Sequence, residues 1–248
     1  MRPYEFLFSL EAQGGMPEPS ARFGESKTLI AEATGFSDSE SMPLHLLSHP
    51  LAEHIITHLR DKTTKPVLFR NLSYQLTLLL ALEATRDLET VEKSIDTPLM
   101  ASIGRVLARP LVVVPILRAG LGMLQPFQDV FPDISVGYIG LERDHETAVA
   151  RSYYCKLPPL ENARTIVVDP MLATGGSASR ALSIVKECGA KDVSLACIIA
   201  APEGVETVER AHPEVPIILG VLDSGLDARK YIIPGLGDFG DRLYGTHA

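Results

Sequence analysis

Residues 165–189 read TIVVDPMLATGGSASRALSIVKECG, and this stretch decides the fold. Its apolar run of Ile166, Val167 and Val168 is typical of a strand that is buried on both faces of a parallel sheet. A short turn with two glycines follows, and a helical pattern begins after it. The stretch therefore predicts a strand, a turn and a helix.

The turn TGGS has the composition of a loop that binds an anion. Gly175 and Gly176 leave no side chain where the backbone must approach an anion, and Thr174 and Ser177 offer hydroxyls and a helix cap. The first N–H groups of a helix have no partner inside the helix, so a phosphate fits there. Hydrogen bonds to a charged group contribute about 1.5–3 kcal/mol each, whereas the helix dipole contributes about 0.3–1 kcal/mol. We therefore expect the loop donors to dominate phosphate binding.

Asp169 leaves the strand on the way to this turn. A carboxylate repels a phosphate, so Asp169 needs hydroxyl donors, and a ribose has them. The alternative role is a helix N-cap, which stabilises by about 1 kcal/mol, but Asp169 stands too far before the helix for a simple cap. The stretch therefore predicts a site for a phosphorylated sugar.

The composition of the 248 residues is that of an ordinary globular protein, with 46% hydrophobic and 22% charged residues. The net charge of -8 argues against binding to nucleic acid or to a membrane surface, and no apolar stretch is long enough to span a bilayer. Cys155, Cys188 and Cys197 show no paired spacing. An odd and sparse set of cysteines favours a reducing compartment, so we expect a cytoplasmic protein.

Residues 1–42 differ from the rest, because they are rich in Gly, Pro, Ser and Glu and lack a sustained apolar period. We predict a flexible N-terminal extension there, and one domain over residues 43–248. The apolar run of residues 6–8 is too short for a signal peptide, and Glu5 and Glu11 argue against a transit peptide.

The rest of the chain predicts two helices and then an alternation of strands and helices. The first helix carries Leu51, Ile55 and Leu59 on one face, and the second covers residues 66–86. Strands are expected at residues 111–116, 134–141, 165–168, 193–201 and 215–223, with a short helix at residues 205–211. Residues 142–157 are polar and are predicted to form a flap or hairpin.

This alternation is typical of an α/β fold with a mainly parallel, doubly wound sheet. Ligands bind beyond the carboxyl ends of the strands in such sheets. The polar residues that follow Ile116, Leu141 and Val168 are therefore expected to converge on one crevice.

The loop at residues 169–177 is neither a P-loop, because no Gly-Lys-Ser/Thr follows, nor a GxGxxG dinucleotide turn. It resembles the phosphoribosyl-diphosphate binding motif of the phosphoribosyltransferases. That motif usually has two adjacent acidic residues, and here Pro170 stands in the second place. The version DPMLATGGS is similar to that of the uracil phosphoribosyltransferases.

Three further segments support this resemblance. VPILRAGLGM at residues 114–123 resembles the diphosphate loop of the family, and LERDHET at residues 141–147 resembles the start of its arginine-bearing flap. YIIPGLGDFGDRLYGT at residues 231–246 resembles its uracil-recognition loop. The resemblance runs from about residue 49 to residue 246, and it implies a fold of the phosphoribosyltransferase type with a small N-terminal helical part.

The resemblance implies transfer of phosphoribose from 5-phosphoribosyl 1-diphosphate (PRPP) to N1 of uracil, which gives UMP and diphosphate in pyrimidine salvage. Arg118 and Arg143 match the arginines that contact the diphosphate, and arginine forks suit phosphate oxygens. Arg118 could instead form a surface salt bridge, and Arg143 has acidic neighbours with which it could pair. Asp238 matches a carboxylate that meets the diphosphate and its Mg²⁺ through water, with no direct protein ligand to the metal. Its alternative is a loop-stabilising Asx turn.

The resemblance assigns the remaining residues to the two substrates. The PRPP contacts beyond the arginines and Asp238 are Asp169, Pro170, Met171, Leu172, Ala173, Thr174, Gly175, Gly176 and Ser177. The uracil contacts are Ile232, Gly237, Asp238 and Phe239.

Main-chain N–H and C=O groups can match the acceptor, donor and acceptor along one edge of uracil. Cytosine reverses two of these three groups, so its rejection could reach several hundredfold, since each unmatched buried group costs about 1–3 kcal/mol. Many bacterial relatives carry alanine at the position of Phe239, which puts the shape of the pocket rim in question.

Two rival functions remain open. One is a non-catalytic sensor of PRPP or uridine nucleotides, and the other is a transferase for a purine base. The resemblance also implies a homodimer or homotetramer and a GTP effector. The histidines of the first helical region contain no HExxH motif, so we predict no zinc site there. Cys155 is expected to be a plain flap residue, because the reaction needs no thiol nucleophile.

Overall fold

The computed structural model describes residues 44–143 and 150–246. The predicted extension over residues 1–42 lies outside the described part, and so do residues 144–149 of the predicted flap. Within the described ranges, no helix combines the length and the apolarity needed to cross a bilayer.

A mainly parallel sheet of nine strands forms the centre of the fold, which confirms the predicted class. The strands of its main path are β1 (Leu44–Leu46), β4 (Leu111–Leu117), β6 (Tyr138–Arg143), β7 (Ala150–Lys156), β8 (Arg164–Val168), β10 (Asp192–Ala200) and β11 (Ile217–Leu222). They lie in the order β1-β11-β10-β8-β4-β6-β7, and every neighbouring pair is parallel except β6 and β7. Short strands β5 (Ser135–Val136) and β9 (Met171–Leu172) pair with β4 and β10.

Helices cover both faces of this sheet. The helices are α1 (Pro50–Arg60), α2 (Pro66–Ala84), α3 (Leu121–Val130), α4 (Gly176–Glu187), α5 (Pro202–Ala211) and α6 (Phe239–Tyr244). One core cluster joins α1, α2, α3 and α6 to one face, and the other joins α4 and α5 to the opposite face. Neighbouring residues Val112 and Val113 of β4 point into different clusters, as the period of a strand requires. The apolar strands are therefore buried on both sides.

The first helix buries a different stripe from the one predicted. Leu51 is 44% exposed, whereas Ala52, Ile55, Ile56 and Leu59 are buried. The buried set follows the i, i+3, i+4, i+7 spacing of one helical face, and Leu51 lies to the side of that face. The prediction was therefore wrong for Leu51 and right for Ile55 and Leu59.

The region predicted as one strand at residues 134–141 is divided into β5 and β6 at Gly137. The Gly137 N–H donates to the Val113 carbonyl at 3.0 Å, so the chain stays against β4 across the break. A Cβ on Gly137 would lie 2.6 Å from Leu157, so no larger residue fits without movement. The predicted flap begins as a hairpin, because β6 and β7 pair antiparallel.

The sequence reasoning missed a second hairpin, formed by β2 (Thr90–Asp96) and β3 (Ala101–Leu107). It forms a separate two-stranded sheet, and its side chains are mostly exposed. Apolar residues lie on its surface, among them Leu99 at 94% exposure and Ile103 at 70%. Alternating polar and apolar residues on each side of a short turn would have been the pattern to look for.

Candidate active site

The predicted site residues follow the carboxyl ends of adjacent strands. Arg118 comes directly after β4, and Asp169 comes directly after β8, which pairs with β4 in parallel. The chain after β4 passes close to the end of β8, because a Cβ on Gly120 would lie 2.7 Å from the Val168 carbonyl oxygen. Glycine at this position therefore lets the Arg118 loop and the Asp169 loop meet.

The predicted phosphate turn opens helix α4, as the sequence indicated. Gly175 is the N-cap residue with φ of 80°, and the helix begins at Gly176. The N-cap residue is thus neither Thr174 nor Ser177, and its glycine has no side chain that could cap the helix. A left-handed glycine replaces the side-chain cap, and the turn presents the first N–H groups of the helix.

The turn is also held tightly by helix α5. A Cβ on Gly175 would lie 2.7 Å from the Gly204 carbonyl oxygen and 2.7 Å from the Cβ of Thr207. A Cβ on Gly204 would in turn lie 2.6 Å from the carbonyl oxygens of Leu172 and Ala173. Two glycines in contact therefore allow α5 to support the turn from behind.

The carboxyl group of Asp169 is poorly solvated. Burial raises its pKa to about 7, and a hydrogen bond from the Met171 N–H at 3.4 Å opposes that rise. Asp169 does not cap α4, whose N-cap is Gly175. At neutral pH the carboxyl is thus poised between its neutral and charged forms, and hydroxyl donors from a ligand would favour the charged form.

The residues between Asp169 and the turn fall into two groups. Pro170 and Leu172 are buried and support the loop from the interior. Met171 and Leu172 form β9, which pairs with Ile199 and Ala200 of β10. Ala173, Thr174 and Ser177 are partly exposed, and Gly176 is exposed. The loop therefore presents its glycine-containing end to the solvent.

Arg118 is exposed just beyond the carboxyl end of β4. Among the described residues, no carboxylate lies within ion-pair distance of it, so the salt-bridge alternative finds no partner there. The Tyr244 hydroxyl donates to the Arg118 carbonyl at 3.2 Å. Burial raises the pKa of Tyr244, and the nearby charge of Arg118 opposes this shift. The C-terminal helix therefore contacts the loop that carries Arg118.

Arg143 is the last residue of β6, where it pairs with Ala150 of β7. Its position at the end of a strand beside β4 agrees with the predicted start of the flap. The side chain of Arg143 and the rest of the segment up to residue 149 lie outside the described residues.

The predicted base loop connects two short strands to the C-terminal helix. Strand β13 (Ile232–Ile233) pairs with β12 (Gly225–Leu226), and Gly237 has φ of 80°. The Phe239 side chain is fully buried, and its ring lies 5.2 Å from that of Phe69. Because this side chain belongs to the core, only the main chain of Phe239 can contribute to a base pocket.

Asp238 has a structural role that the sequence left open. It is the N-cap residue of α6, and its Oδ1 accepts a hydrogen bond from the Asp241 N–H at 2.8 Å. Asp238 therefore makes a local stabilising bond, but as a helix cap rather than as the Asx turn that was the alternative. Asp238 is exposed, so the same carboxylate also faces solvent.

Three residues that the sequence reasoning did not identify hold the base loop. Arg60 and Asp223 bind each other and the main chain of Gly235. Arg242 donates to the Leu236 carbonyl at 2.7 Å and stacks over Phe69 with 4.4 Å to the ring centroid. No motif or spacing connects these residues, because Arg60 and Asp223 are 163 positions apart.

The histidines near the N-terminus of the described part have ordinary roles. His49 caps α1 by accepting from the Leu51 N–H at 3.1 Å, and the rings of His54 and His58 make an edge contact at 4.6 Å. In residues 44–143 and 150–246, no three His, Cys, Asp or Glu side chains form a group that could hold a metal ion.

Comparison with known proteins matches this arrangement of loops to one family. The family model described as uracil phosphoribosyltransferase matches residues 46–246. The uracil phosphoribosyltransferase of Oceanobacillus iheyensis is 51% identical over 203 residues, which cover 81% of this chain and 97% of that protein. The protein of the same name from Roseiflexus castenholzii is 52% identical over 199 residues, covering 80% and 96%.

A solved structure agrees with the sequence comparisons. The AQ2163 protein from Aquifex aeolicus superimposes with a TM-score of 0.79 at 38% identity, over 83% of this chain and 99% of that chain. The match to the family model includes residues 169–177, which follow β8, and the segment after β11. This chain belongs to the uracil phosphoribosyltransferase family.

Proposed function

We propose that this chain transfers the 5-phosphoribosyl group of PRPP to N1 of uracil, giving UMP and diphosphate. The observation that carries the proposal is the convergence of three loops at one end of the parallel sheet: the loop after β4, the turn that opens α4, and the loop that opens α6. The first suits a diphosphate, the second a sugar phosphate and the third a base.

The sugar phosphate occupies the turn at the start of α4. Gly175 and Gly176 let the 5′-phosphate approach the backbone, and the N–H groups of the first helical turn donate to it. Asp169 accepts hydrogen bonds from the ribose hydroxyls. Burial raises the pKa of Asp169 to about 7, which disfavours the charged carboxylate. Hydrogen bonds from the ribose hydroxyls would stabilise the charged form and lower this pKa again.

Uracil N1 attacks C1′ of the ribose, and the C1′–O bond to the diphosphate breaks, with both electrons leaving on the diphosphate oxygen. The proton of N1 is released, and the configuration at C1′ is inverted. Charge grows on the leaving group in the transition state, so catalysis comes from positioning and from the cationic side chains of Arg118 and Arg143. A flap beginning at Arg143 would exclude water, which otherwise hydrolyses PRPP.

The main chain at Ile232, Gly237 and Phe239 reads the hydrogen-bonding edge of uracil, and Asp238 lies between these groups. This proposal is supported by the full burial of the Phe239 side chain, which leaves its main chain as the contributing part. A phenylalanine here and an alanine in relatives therefore make the same main-chain contact.

Mg²⁺ prefers oxygen ligands and retains several waters. The exposed carboxylate of Asp238 fits an ion that is carried by the diphosphate and reached through water. When bound, Mg²⁺ neutralises part of the charge of the leaving diphosphate. Asp238 thus combines the helix cap with orientation of the metal-bound substrate.

We also propose that the chain forms a homodimer or a homotetramer. The exposed apolar residues of the β2–β3 hairpin, including Leu99, Met100 and Ile103, support a protein contact at this place. Light scattering after size-exclusion chromatography would measure the mass, and Ile103→Lys is expected to lower it. Activation by GTP and a cytoplasmic location stay predictions, and the free state of the three cysteines agrees with the latter.

The test of the function is direct. Purified protein with PRPP, Mg²⁺ and uracil is expected to form UMP and diphosphate, while cytosine and hypoxanthine give little product. Absence of UMP would favour the non-catalytic sensor, and preference for hypoxanthine would favour the purine transferase.

A further inference from the structure

Two side chains from distant parts of the chain grip the base loop at Gly235. Arg60, at the end of α1, donates from Nη1 to Asp223 Oδ2 and to the Gly235 carbonyl, each at 2.8 Å. Its Nη2 donates to Asp223 Oδ1. Asp223, which follows β11, accepts the Gly235 N–H at 2.8 Å. We call Arg60 and Asp223 the clamp.

The clamp is largely shielded from water. The Asp223 side chain is 3% exposed and the Arg60 side chain 24%. A buried carboxylate needs full pairing, and the two-pronged contact with a guanidinium supplies it with a defined orientation. The clamp therefore holds one geometry rather than a range of surface geometries.

The hydrogen bonds of the clamp reach both peptide groups that flank Gly235. The N–H belongs to the peptide group before Gly235 and the C=O to the one after it, so the two bonds together determine both backbone torsions of this residue. Gly235 has φ of 62°, and a Cβ there would lie 2.0 Å from the Ile232 carbonyl oxygen. Glycine is required by the turn but supplies no rigidity of its own.

A second arginine holds the next residue in the same direction. Arg242 donates to the Leu236 carbonyl at 2.7 Å and to the Asp61 carbonyl at 2.7 Å. The carbonyls of Gly235 and Leu236 thus both accept from an arginine, and Arg242 also bonds the main chain just after α1. Because these bonds hold residues 235 and 236 in place, they also restrict the position of the next residue, Gly237.

We infer that Arg60 and Asp223 are positioning residues for uracil, which they orient through the main chain at Gly235 rather than by touching the base. The inference rests on the proposed function, because it assumes that the loop from Ile232 to Phe239 reads the base. A loop that binds its ligand through main-chain groups can orient those groups only through its backbone torsions. Contacts with residues from other parts of the chain must therefore fix these torsions. The clamp does this for the two torsions that a glycine leaves softest.

Asp223→Asn tests the inference with almost no change of shape. The asparagine has one acceptor oxygen and one NH₂ group, so in either orientation the NH₂ group faces a donor of Arg60, and in one orientation it also faces the Gly235 N–H. The KM for uracil is expected to rise about ten- to a hundredfold, because small displacements of binding groups have effects of that size. The KM for PRPP is expected to stay within about twofold, since the phosphate turn is a separate part of the chain.

Asp192→Asn is the matched control. Asp192, the first residue of β10, forms an ion pair with Arg164, the first residue of β8. The Asp192 side chain is 26% exposed and the Arg164 side chain 10%. This ion pair lies at the amino ends of the strands, away from the loops. The control is expected to lower the melting temperature and to leave both KM values unchanged.

Arg60→Lys provides a second variant in case Asp223→Asn folds poorly. Lysine retains the charge that Asp223 needs but loses the planar fork, so an intermediate rise in the KM for uracil is expected. The clamp has no such role if both variants show the uracil KM of the control, or if the KM for PRPP rises equally. In that case UMP formation by the wild-type chain leaves the proposed function standing. A wild-type chain that forms no UMP overturns both.

Discussion

The phosphate turn and the base loop hold their conformations in different ways. The turn at residues 174–177 follows β9 and includes the first two residues of α4, so the helix itself orients the N–H groups that the turn offers. The base loop at residues 232–239 runs from the two-residue strand β13 to the first residue of α6, and side chains 175 and 6 positions away bond its carbonyls.

The ligands that we propose for the two regions account for this difference. A phosphate accepts hydrogen bonds from several directions, so a helix start with two glycines is sufficient. A planar base presents an ordered row of donors and acceptors, and a loop must keep each main-chain group at one angle to match it. We therefore expect changes near the turn to affect PRPP and changes near the base loop to affect uracil.

The largest expected effect comes from Arg118→Ala, on the phosphate side. Removing the charge that we propose to stabilise the leaving diphosphate should lower kcat/KM by about 10²–10³-fold. The unfolding free energy should change by less than about 0.5 kcal/mol, because Arg118 is exposed. Initial rates of UMP formation and thermal unfolding measure the two effects. Arg180→Ala, which removes an exposed arginine later on α4, serves as the control and should retain activity.

The two strained glycines offer the sharpest test of the comparison. Gly175→Ala places a Cβ 2.7 Å from the Gly204 carbonyl oxygen, and Gly235→Ala places one 2.0 Å from the Ile232 carbonyl oxygen. Each should cost about 1–3 kcal/mol of stability, since both residues have positive φ. Steady-state kinetics should show a raised KM for PRPP in the first variant and for uracil in the second. If both variants raise the same KM, the two regions do not act separately.

Asp169→Asn, next to the phosphate turn, should lower the activity and raise the stability of the folded protein. The folded pKa of about 7 lies above the ordinary value of 3.8, so between these two values the unfolded chain has released this proton while the folded chain keeps it. The folded protein therefore loses stability as the pH rises toward 7, and the loss levels off above 7. Asparagine avoids that cost and should raise the unfolding free energy of the ligand-free protein by about 1–2 kcal/mol above pH 7, while activity falls.

Thermal unfolding of the wild type and of Asp169→Asn between pH 5 and pH 9 measures this difference. The gain should shrink below pH 7, where the wild-type carboxyl is already neutral. A gain that is equal at every pH would show that ionisation of Asp169 does not limit stability.

The smallest expected effect concerns His212, which holds the helix behind the phosphate turn. Its Nε2 donates to the Ser179 carbonyl at 2.9 Å, and its Nδ1 accepts from Lys186 at 2.8 Å, so the ring is neutral. Burial and the charge of Lys186 lower its pKa below 6.5. Stability should therefore fall as the pH drops below 6.5, because the unfolded chain binds the proton more readily.

His212→Gln should flatten this dependence and cost about 1 kcal/mol at pH 8, where the wild-type hydrogen bonds are complete. Chemical denaturation at pH 5.5 and pH 8 measures both. An unchanged slope in the variant would assign the pH dependence to other groups.

The sheet could be predicted because its strands are short apolar runs that are each followed by polar residues. The strand at residues 165–168 and the turn after it were found within a residue or two. Helix α1 was located correctly, but its buried face was taken to include Leu51, since apolar spacing alone does not tell which of two overlapping stripes the sheet covers. The β2–β3 hairpin was missed, because its apolar residues lie on the surface rather than in a core.

The phosphate turn and the base loop also differ in how far the amino-acid sequence predicts them. Asp169 and the glycines of the turn are neighbours in the chain, so the amino-acid sequence by itself determined where a sugar phosphate is expected, and the segments similar to one family indicated the base. Arg60, Asp223 and Arg242 reach the base loop only through the tertiary structure, which brings the end of α1 against residues 235 and 236. Local bonding geometry makes a helix start readable from sequence, whereas side chains that hold a loop from far along the chain become neighbours only when the sheet has been assembled.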